Sequence, residues 1–177
     1  MEAFTEVTAN GAEKDLVITS ILPLDNGTVW LLTDKNGGIR VVPDRKTGTL
    51  ASKVYLSTAS KEKGTAIKTV FLDKKNREWL LTKDGLLCIE GNNGKQTPFF
   101  VNTHPESGRP NQSFFSAAFV NGHVYFTSNK GRVWKYSLKD ETFELKDLGL
   151  QDDVISIREL SEGKVIMAPR RSGFVVG

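Results

Sequence analysis

Two histidines, one cysteine and a scatter of Lys, Arg and Asn side chains carry whatever chemistry this 177-residue sequence can offer. His104 lies in a Pro-rich loop and His123 stands beside Gly122. They are too few and too unlike in context to form a metal site, so both read as structural or solvent histidines. Cys88 sits in the apolar run Leu86-Leu87-Cys88-Ile89. A single cysteine excludes an internal disulfide and any multi-cysteine metal site, and in such a run it reads as a small buried hydrophobe. Gly91-Asn92-Asn93-Gly94-Lys95 is glycine-rich like a phosphate loop. A P-loop would need glycine where Ile89 stands and Ser or Thr where Gln96 stands, so the stretch reads as a hairpin turn. Asp73 to Glu78 is too poor in carboxylates for a calcium loop, and no serine lies in a Gly-x-Ser-x-Gly elbow. The expectation is a non-enzymatic chain with no catalytic residue, metal or cofactor.

The polar residues that remain fall into turns, and the turns belong to a repeat. Asn26-Gly27-Thr28-Val29-Trp30-Leu31-Leu32-Thr33 runs on to Gly37-Gly38. Lys75-Asn76-Arg77-Glu78-Trp79-Leu80-Leu81-Thr82 runs on to Asp84-Gly85. Asn121-Gly122-His123-Val124-Tyr125-Phe126-Thr127-Ser128 runs on to Gly131, and Glu162-Gly163-Lys164-Val165-Ile166-Met167-Ala168 to Gly173. Aligned on the turn, Trp30, Trp79, Tyr125 and Ile166 share one register, 49, 46 and 41 residues apart. A period in this range, built from strand-like units, predicts propeller blades or another repeat array.

Each unit reads as a four-stranded antiparallel meander. The first is expected at Leu16–Leu24, Thr28–Thr33, Gly38–Val42 and Leu50–Leu56, with Asn26-Gly27 as a tight hairpin whose residues both tolerate positive φ. The second is Ala66–Leu72, Arg77–Thr82, Gly85–Glu90 and Thr97–Val101. The third is Phe114–Val120, His123–Ser128, Gly131–Leu138 and Thr142–Lys146. The fourth is Val154–Leu160, Lys164–Ala168 and Gly173–Val176, without an outer strand. A surplus strand is read at residues 2–9, before a turn at Asn10-Gly11. The expected fold is thus all-β: one propeller-type domain over 1–177, with blades at about 15–60, 65–102, 113–148 and 154–177 and 2–9 as an extra outer strand. It is either part of a larger ring or a small ring closed by the N-terminal strand. The aromatics of the second strands are expected to fill gaps between blades.

In such a meander the second-to-third loops share a rim with the connections between blades. That rim would carry Lys35, Asn36, Lys83, Asp84, Asn129, Lys130, Arg170 and Arg171, together with the long connections 57–65 and 102–112. The second connection holds His104, Arg109 and Asn111. Irregular loops on a rigid scaffold are where binding tends to sit. The candidate ligand residues are therefore Lys35, Lys83, His104, Arg109, Asn111, Lys130, Arg170 and Arg171, suited to a polar or acidic ligand.

Composition sets outer limits. With 38% hydrophobic and 25% charged residues the chain can build a core. A net charge of +3 with dispersed basic residues does not point to nucleic acid. No stretch approaches the ~20 apolar residues of a membrane span, and the first residues do not resemble a signal peptide. Either a cytoplasmic protein or a piece of an exported one is expected. Uncovered blade faces would favour self-association.

The stretch Ile18-Thr19-Ser20-Ile21, then Asp25-Asn26-Gly27-Thr28-Val29-Trp30-Leu31-Leu32-Thr33, then Gly37-Gly38-Ile39 resembles the two-component regulator propeller repeat. The resemblance is strongest in residues 18–42. It is weaker in 67–89, where Lys74-Lys75-Asn76-Arg77 replaces the usual glycine turn, and faint in the third and fourth units. It implies a sensory segment from the periplasmic region of a hybrid two-component histidine kinase of glycan-degrading bacteria, recognising an oligosaccharide or another polar small molecule. The shared positions are structural, so it carries over no ligand residues. Streptogramin-lyase propellers look like a more distant relative.

Overall fold

The computed structural model describes residues 17–34, 37–44, 46–47, 49–55, 66–91, 94–100, 112–171 and 173–177. The strand expected at 2–9, the connections 57–65 and 102–111, and the candidates Lys35, His104, Arg109 and Asn111 lie outside them.

The described residues form antiparallel sheets in sequence order. The first holds β1 (Ile18–Pro23), β2 (Val29–Thr33), β3 (Gly38–Pro43) and β4 (Leu50–Tyr55). The second holds β5 (Ile67–Leu72), β6 (Glu78–Thr82), β7 (Gly85–Glu90) and β8 (Lys95–Phe99). The third holds β9 (Phe114–Val120), β10 (His123–Ser128), β11 (Arg132–Ser137) and β12 (Phe143–Asp147). The fourth holds β13 (Val154–Glu159), β14 (Val165–Pro169) and β15 (Val175–Val176), three strands among the described residues, as the sequence led us to expect. The only helical element among them is a single 3₁₀ turn at Ser161–Gly163.

Three of the four first hairpins share one frame. Leu24, Asp73 and Leu160 each donate their N–H to the carbonyl four residues on, at Thr28, Arg77 and Lys164. The left-handed position of that frame is held by Gly27 (φ 86°), Asn76 (φ 61°) and Gly163 (φ 76°). Asn76 thus does the work of the missing glycine, which asparagine tolerates better than other side chains. The two-residue hairpin expected at Asn26-Gly27 is corrected: only Gly27 is left-handed, and Asn26 Oδ1 instead accepts the Thr28 N–H at 3.0 Å. The paired positive φ values occur at Asn121 (47°) and Gly122 (79°), where Val120 and His123 pair directly. The strand expected at 97–101 is also displaced. It starts at Lys95 and ends before Phe100, whose φ of 57° turns the chain out of the ladder.

The chain divides into two compact units, residues 1–70 and 71–177. In the first, Trp30 is fully buried and its ring lies 5.3 Å from that of Tyr55. In the second, the junction of the second and third sheets is an aromatic core. Trp79 meets Tyr136 at 5.0 Å and Phe126 at 5.1 Å between ring centroids, with Phe99 and Phe143 beside it. The third and fourth sheets enclose a separate aliphatic core of Ala118, Val120, Val133, Val154, Ile157, Val165 and Met167, with Tyr125 packed against it. Trp79 and Tyr125 therefore each fill the junction with the sheet that follows, the packing role expected of the shared register.

Candidate functional site

The connection between the third and fourth sheets organises one end of the second unit. Two successive carboxylates, Asp152 and Asp153, lie in it. The Gly131 N–H donates to the Asp152 carbonyl at 2.6 Å, and the Lys130 N–H donates to Asp153 Oδ1 at 3.3 Å. The Arg170 N–H donates to the Asp153 carbonyl at 2.8 Å, and the Arg171 N–H donates to Asp152 Oδ2. One acidic pair thereby ties the β10–β11 turn to the chain leaving β14. Gly131 makes the close approach possible: its φ is 64°, and a Cβ there would fall 2.6 Å from the Leu150 carbonyl oxygen. Just before β9, Gln112 Nε2 donates to Ser128 Oγ and Asn129 Oδ1, each at 2.7 Å, at the start of the same β10–β11 turn.

Charge is sorted at this rim. The acids turn toward backbone amides, whereas the Lys130, Arg170 and Arg171 side chains are exposed. Arg170 is held on two sides. One guanidinium nitrogen lies 3.5 Å from Asp153 Oδ2, and the group stacks over the Phe115 ring at 5.7 Å. Of the other candidates, Lys83 is exposed on the β6–β7 turn, the corresponding turn of the second sheet. That turn is closed by Thr82, whose hydroxyl donates to the Gly85 carbonyl at 2.8 Å and accepts the Asp84 N–H. Thus Lys130, Arg170 and Arg171 share one cluster, and Lys83 is not joined to it by any hydrogen bond or ion pair among the described residues. Sequence reasoning missed Asp152, Asp153 and Phe115. The available signal was an acidic pair in a short connection, matched by the basic pair Arg170-Arg171.

A second charged cluster lies at the opposite end of the strands. Asp73 is fully buried. Its Oδ1 accepts the Lys75 and Arg77 N–H groups at 2.8 and 3.0 Å; its Oδ2 accepts Arg77 Nε and Trp79 Nε1 at 2.8 and 2.9 Å. Arg77 also donates to the Tyr136 hydroxyl at 3.2 Å and to Glu141 at 3.0 Å, joining the second sheet to the third. Burial disfavours the guanidinium charge, but the hydrogen bond and charge of Asp73 outweigh it, and Arg77 holds its proton more tightly than an ordinary arginine. Burial pushes the nearby Cys88 thiol up to about 12, and pushes Tyr136 up as well. His123 begins β10, its Nδ1 2.8 Å from the Asn121 carbonyl. Among the described residues no three His, Cys, Asp or Glu side chains gather as metal ligands would.

Sheets of antiparallel strands in sequence order, with the second packed on the third and the third on the fourth, are β-propeller blades. Known structures agree. The chain matches the extracellular domain of a hybrid two-component system from B. thetaiotaomicron with a TM-score of 0.67 at 20% identity, covering 90% of this chain and 21% of that one. It matches the Dos1 propeller with a TM-score of 0.63 at 15% identity, over 90% of this chain and 44% of that one. It also matches virginiamycin B lyase from Staphylococcus aureus with a TM-score of 0.58 at 13% identity, over 89% and 53%. The chain spans about a fifth of the B. thetaiotaomicron sensor domains it matches. At these identities the likeness is one of fold. No protein-family model matches the sequence, and no curated protein resembles it closely enough to count as a match.

Proposed function

We propose that this chain is a ligand-sensing propeller segment of a two-component sensor, working in the periplasm on a membrane-anchored protein. Its ligand is a glycan or another polar small molecule, and its role is binding without catalysis. The observation that carries this reading is the rim. Lys130, Arg170 and Arg171 are assembled by Asp152 and Asp153 at the end of rigid sheets where the loops converge. Support comes from the fold shared with sensor domains and from the repeat in residues 18–42. No helix among the described residues is long and apolar enough to cross a membrane, so on this reading the anchor is another part of the sensor.

The test is a glycan panel screened by calorimetry against the wild type and Lys130→Ala/Arg171→Ala. The reading expects at least one glycan whose affinity falls about tenfold or more in the variant, as loss of charge-assisted hydrogen bonds predicts. Unchanged affinity would remove the rim as the site.

A second reading, self-association, is favoured by the fourth sheet. Phe174 is 70% exposed, and Val176, 52% exposed, lies on β15, the last strand of its sheet among the described residues. A monodisperse monomer in light scattering would count against it.

A further inference from the structure

We propose that Arg170 is the recognition group of this rim and that its ligand carries a carboxylate, so that the bound molecule is an acidic saccharide and not a neutral one. The inference rests on the reading of the rim as a ligand site and narrows it to one ligand chemistry.

Arg170 is anchored three ways. Its N–H is held by the Asp153 carbonyl, one guanidinium nitrogen lies against Asp153 Oδ2, and one face of the group rests on Phe115. Pro169, at the end of β14, precedes it and pairs with Val154. An arginine fixed by backbone, edge and face loses less side-chain freedom on binding, which is the usual cost of using so long a side chain. Its side chain is nevertheless 48% exposed, and no other guanidinium nitrogen has a hydrogen-bond partner among the described residues. What remains is a pre-oriented N–H fork facing solvent. Two parallel N–H donors match the two oxygens of a carboxylate.

The charges around it select the charge of the anion. Lys130 and Arg171 add positive potential, with no ion pair or hydrogen bond to their side chains among the described residues. Asp152 and Asp153 lie just behind, each half-buried. They oppose a doubly charged group such as phosphate more than a singly charged carboxylate. A neutral sugar would leave the fork facing only hydroxyls. Asp153 and Phe115 are then positioning residues, and they act through Arg170.

The experiment titrates the full chain with a set of uronate oligosaccharides, each paired with its methyl ester, which removes the charge and keeps the sugar. We expect at least one acid to bind about tenfold or more tightly than its ester, as a charge-assisted bond predicts. Arg170→Lys, which keeps the charge and loses the fork, should lose most of that preference while its thermal unfolding stays that of the wild type. Asp153→Asn, which loosens the hold on Arg170, should lower the preference less than Arg170→Lys does. Three outcomes overturn the inference: acid and ester bind alike, Arg170→Lys keeps the full preference, or a sulfated oligosaccharide outcompetes every uronate. If acid and ester bind alike and Lys130→Ala/Arg171→Ala weakens both, the sensor reading stands while the carboxylate assignment falls. If no saccharide binds in either form, both fall.

Discussion

The second unit uses one set of parts twice, at opposite ends of its strands. Asp73, Arg77 and Trp79 form a carboxylate, a guanidinium and an aromatic ring in mutual contact; at the rim the Arg170 guanidinium likewise meets a carboxylate, Asp153, and a ring, Phe115. Burial separates them. The Arg77 side chain is 8% exposed and gives Nε and one terminal nitrogen to Asp73, Tyr136 and Glu141, its other terminal nitrogen being buried without a partner, whereas that of Arg170 is 48% exposed and sets one guanidinium nitrogen against Asp153. The first cluster joins two sheets. The second holds a cation toward solvent. A charged cluster in a propeller therefore acquires its role less from its residue types than from how far its donors are open to solvent.

Removing one carboxylate from each cluster is the sharpest way to break that comparison. Asp73→Asn leaves the buried Arg77 charge without its one fully buried counter-ion, Glu141 being half-exposed, and breaking a buried pair costs ~3–5 kcal/mol. Asp153→Asn weakens a half-exposed pair and should cost ~1 kcal/mol or less. Urea denaturation of the two variants measures both. Equal losses would mean that the rim is as structural as the buried cluster. A substitution inside the rim sharpens the same contrast. Gly131→Ala places a Cβ in a left-handed position 2.6 Å from the Leu150 carbonyl oxygen, so the turn or the Asp152 connection must shift. Strain of this kind costs ~1–3 kcal/mol. Because the loss falls on the Asp152 tie, ligand affinity should drop with stability. A thermal scan and a titration of one sample read both.

Most of the fold was legible because its signals are local. Alternating apolar residues and turn glycines placed β7, β9 and β10 at their observed bounds and the other strands within a few residues, since a turn fixes the register of its own hairpin. The shared register of Trp79 and Tyr125 followed from the same periodicity. The two misreadings were also local. Asn26-Gly27 resembles a type I′ pair but lies in a longer loop, and Phe100 ends β8 through a backbone angle that residue type does not encode. The charged clusters were legible only in part. Topology placed Lys130, Arg170 and Arg171 on one rim, yet what holds them comes from a neighbouring connection. Arg77 and Tyr136 lie 59 residues apart, and only packing of the second sheet on the third brings them together. The one clue was the crowded turn Lys74-Lys75-Asn76-Arg77 where a glycine turn was expected.

The thiol of Cys88 probes whether the buried side is closed. With its pKa pushed up to about 12 by burial, roughly one molecule in ten thousand carries a thiolate at pH 8, and the thiolate is the reactive form. Iodoacetamide should therefore label the native chain far more slowly than the urea-unfolded one, and mass spectrometry at timed intervals gives both rates. Fast native labelling would show that the junction of the second and third sheets opens readily.

The smallest expected effect lies at the outer margin of the buried cluster. Glu141 accepts from Lys75 at 2.9 Å and from Arg77 at 3.0 Å, and the Lys75 hydrogen bond, followed by the charges of Lys75 and Arg77, holds its carboxyl below the ordinary value of 4.5. The folded-state pKa is thus depressed relative to the unfolded chain. A depressed carboxyl contributes stability that is fully present above the unfolded value and is lost as pH falls through the folded one. The stability of the wild type should therefore decline below about pH 4.5, and Glu141→Gln should flatten that part of the curve while costing little at pH 7, as exposed pairs do. Urea midpoints taken in half-unit steps from pH 3 to pH 7 would show it. An acid limb as steep in Glu141→Gln as in the wild type would assign the loss to other carboxylates. The polar link between the two sheets would then rest on Asp73, Arg77 and Tyr136, beside the aromatic core.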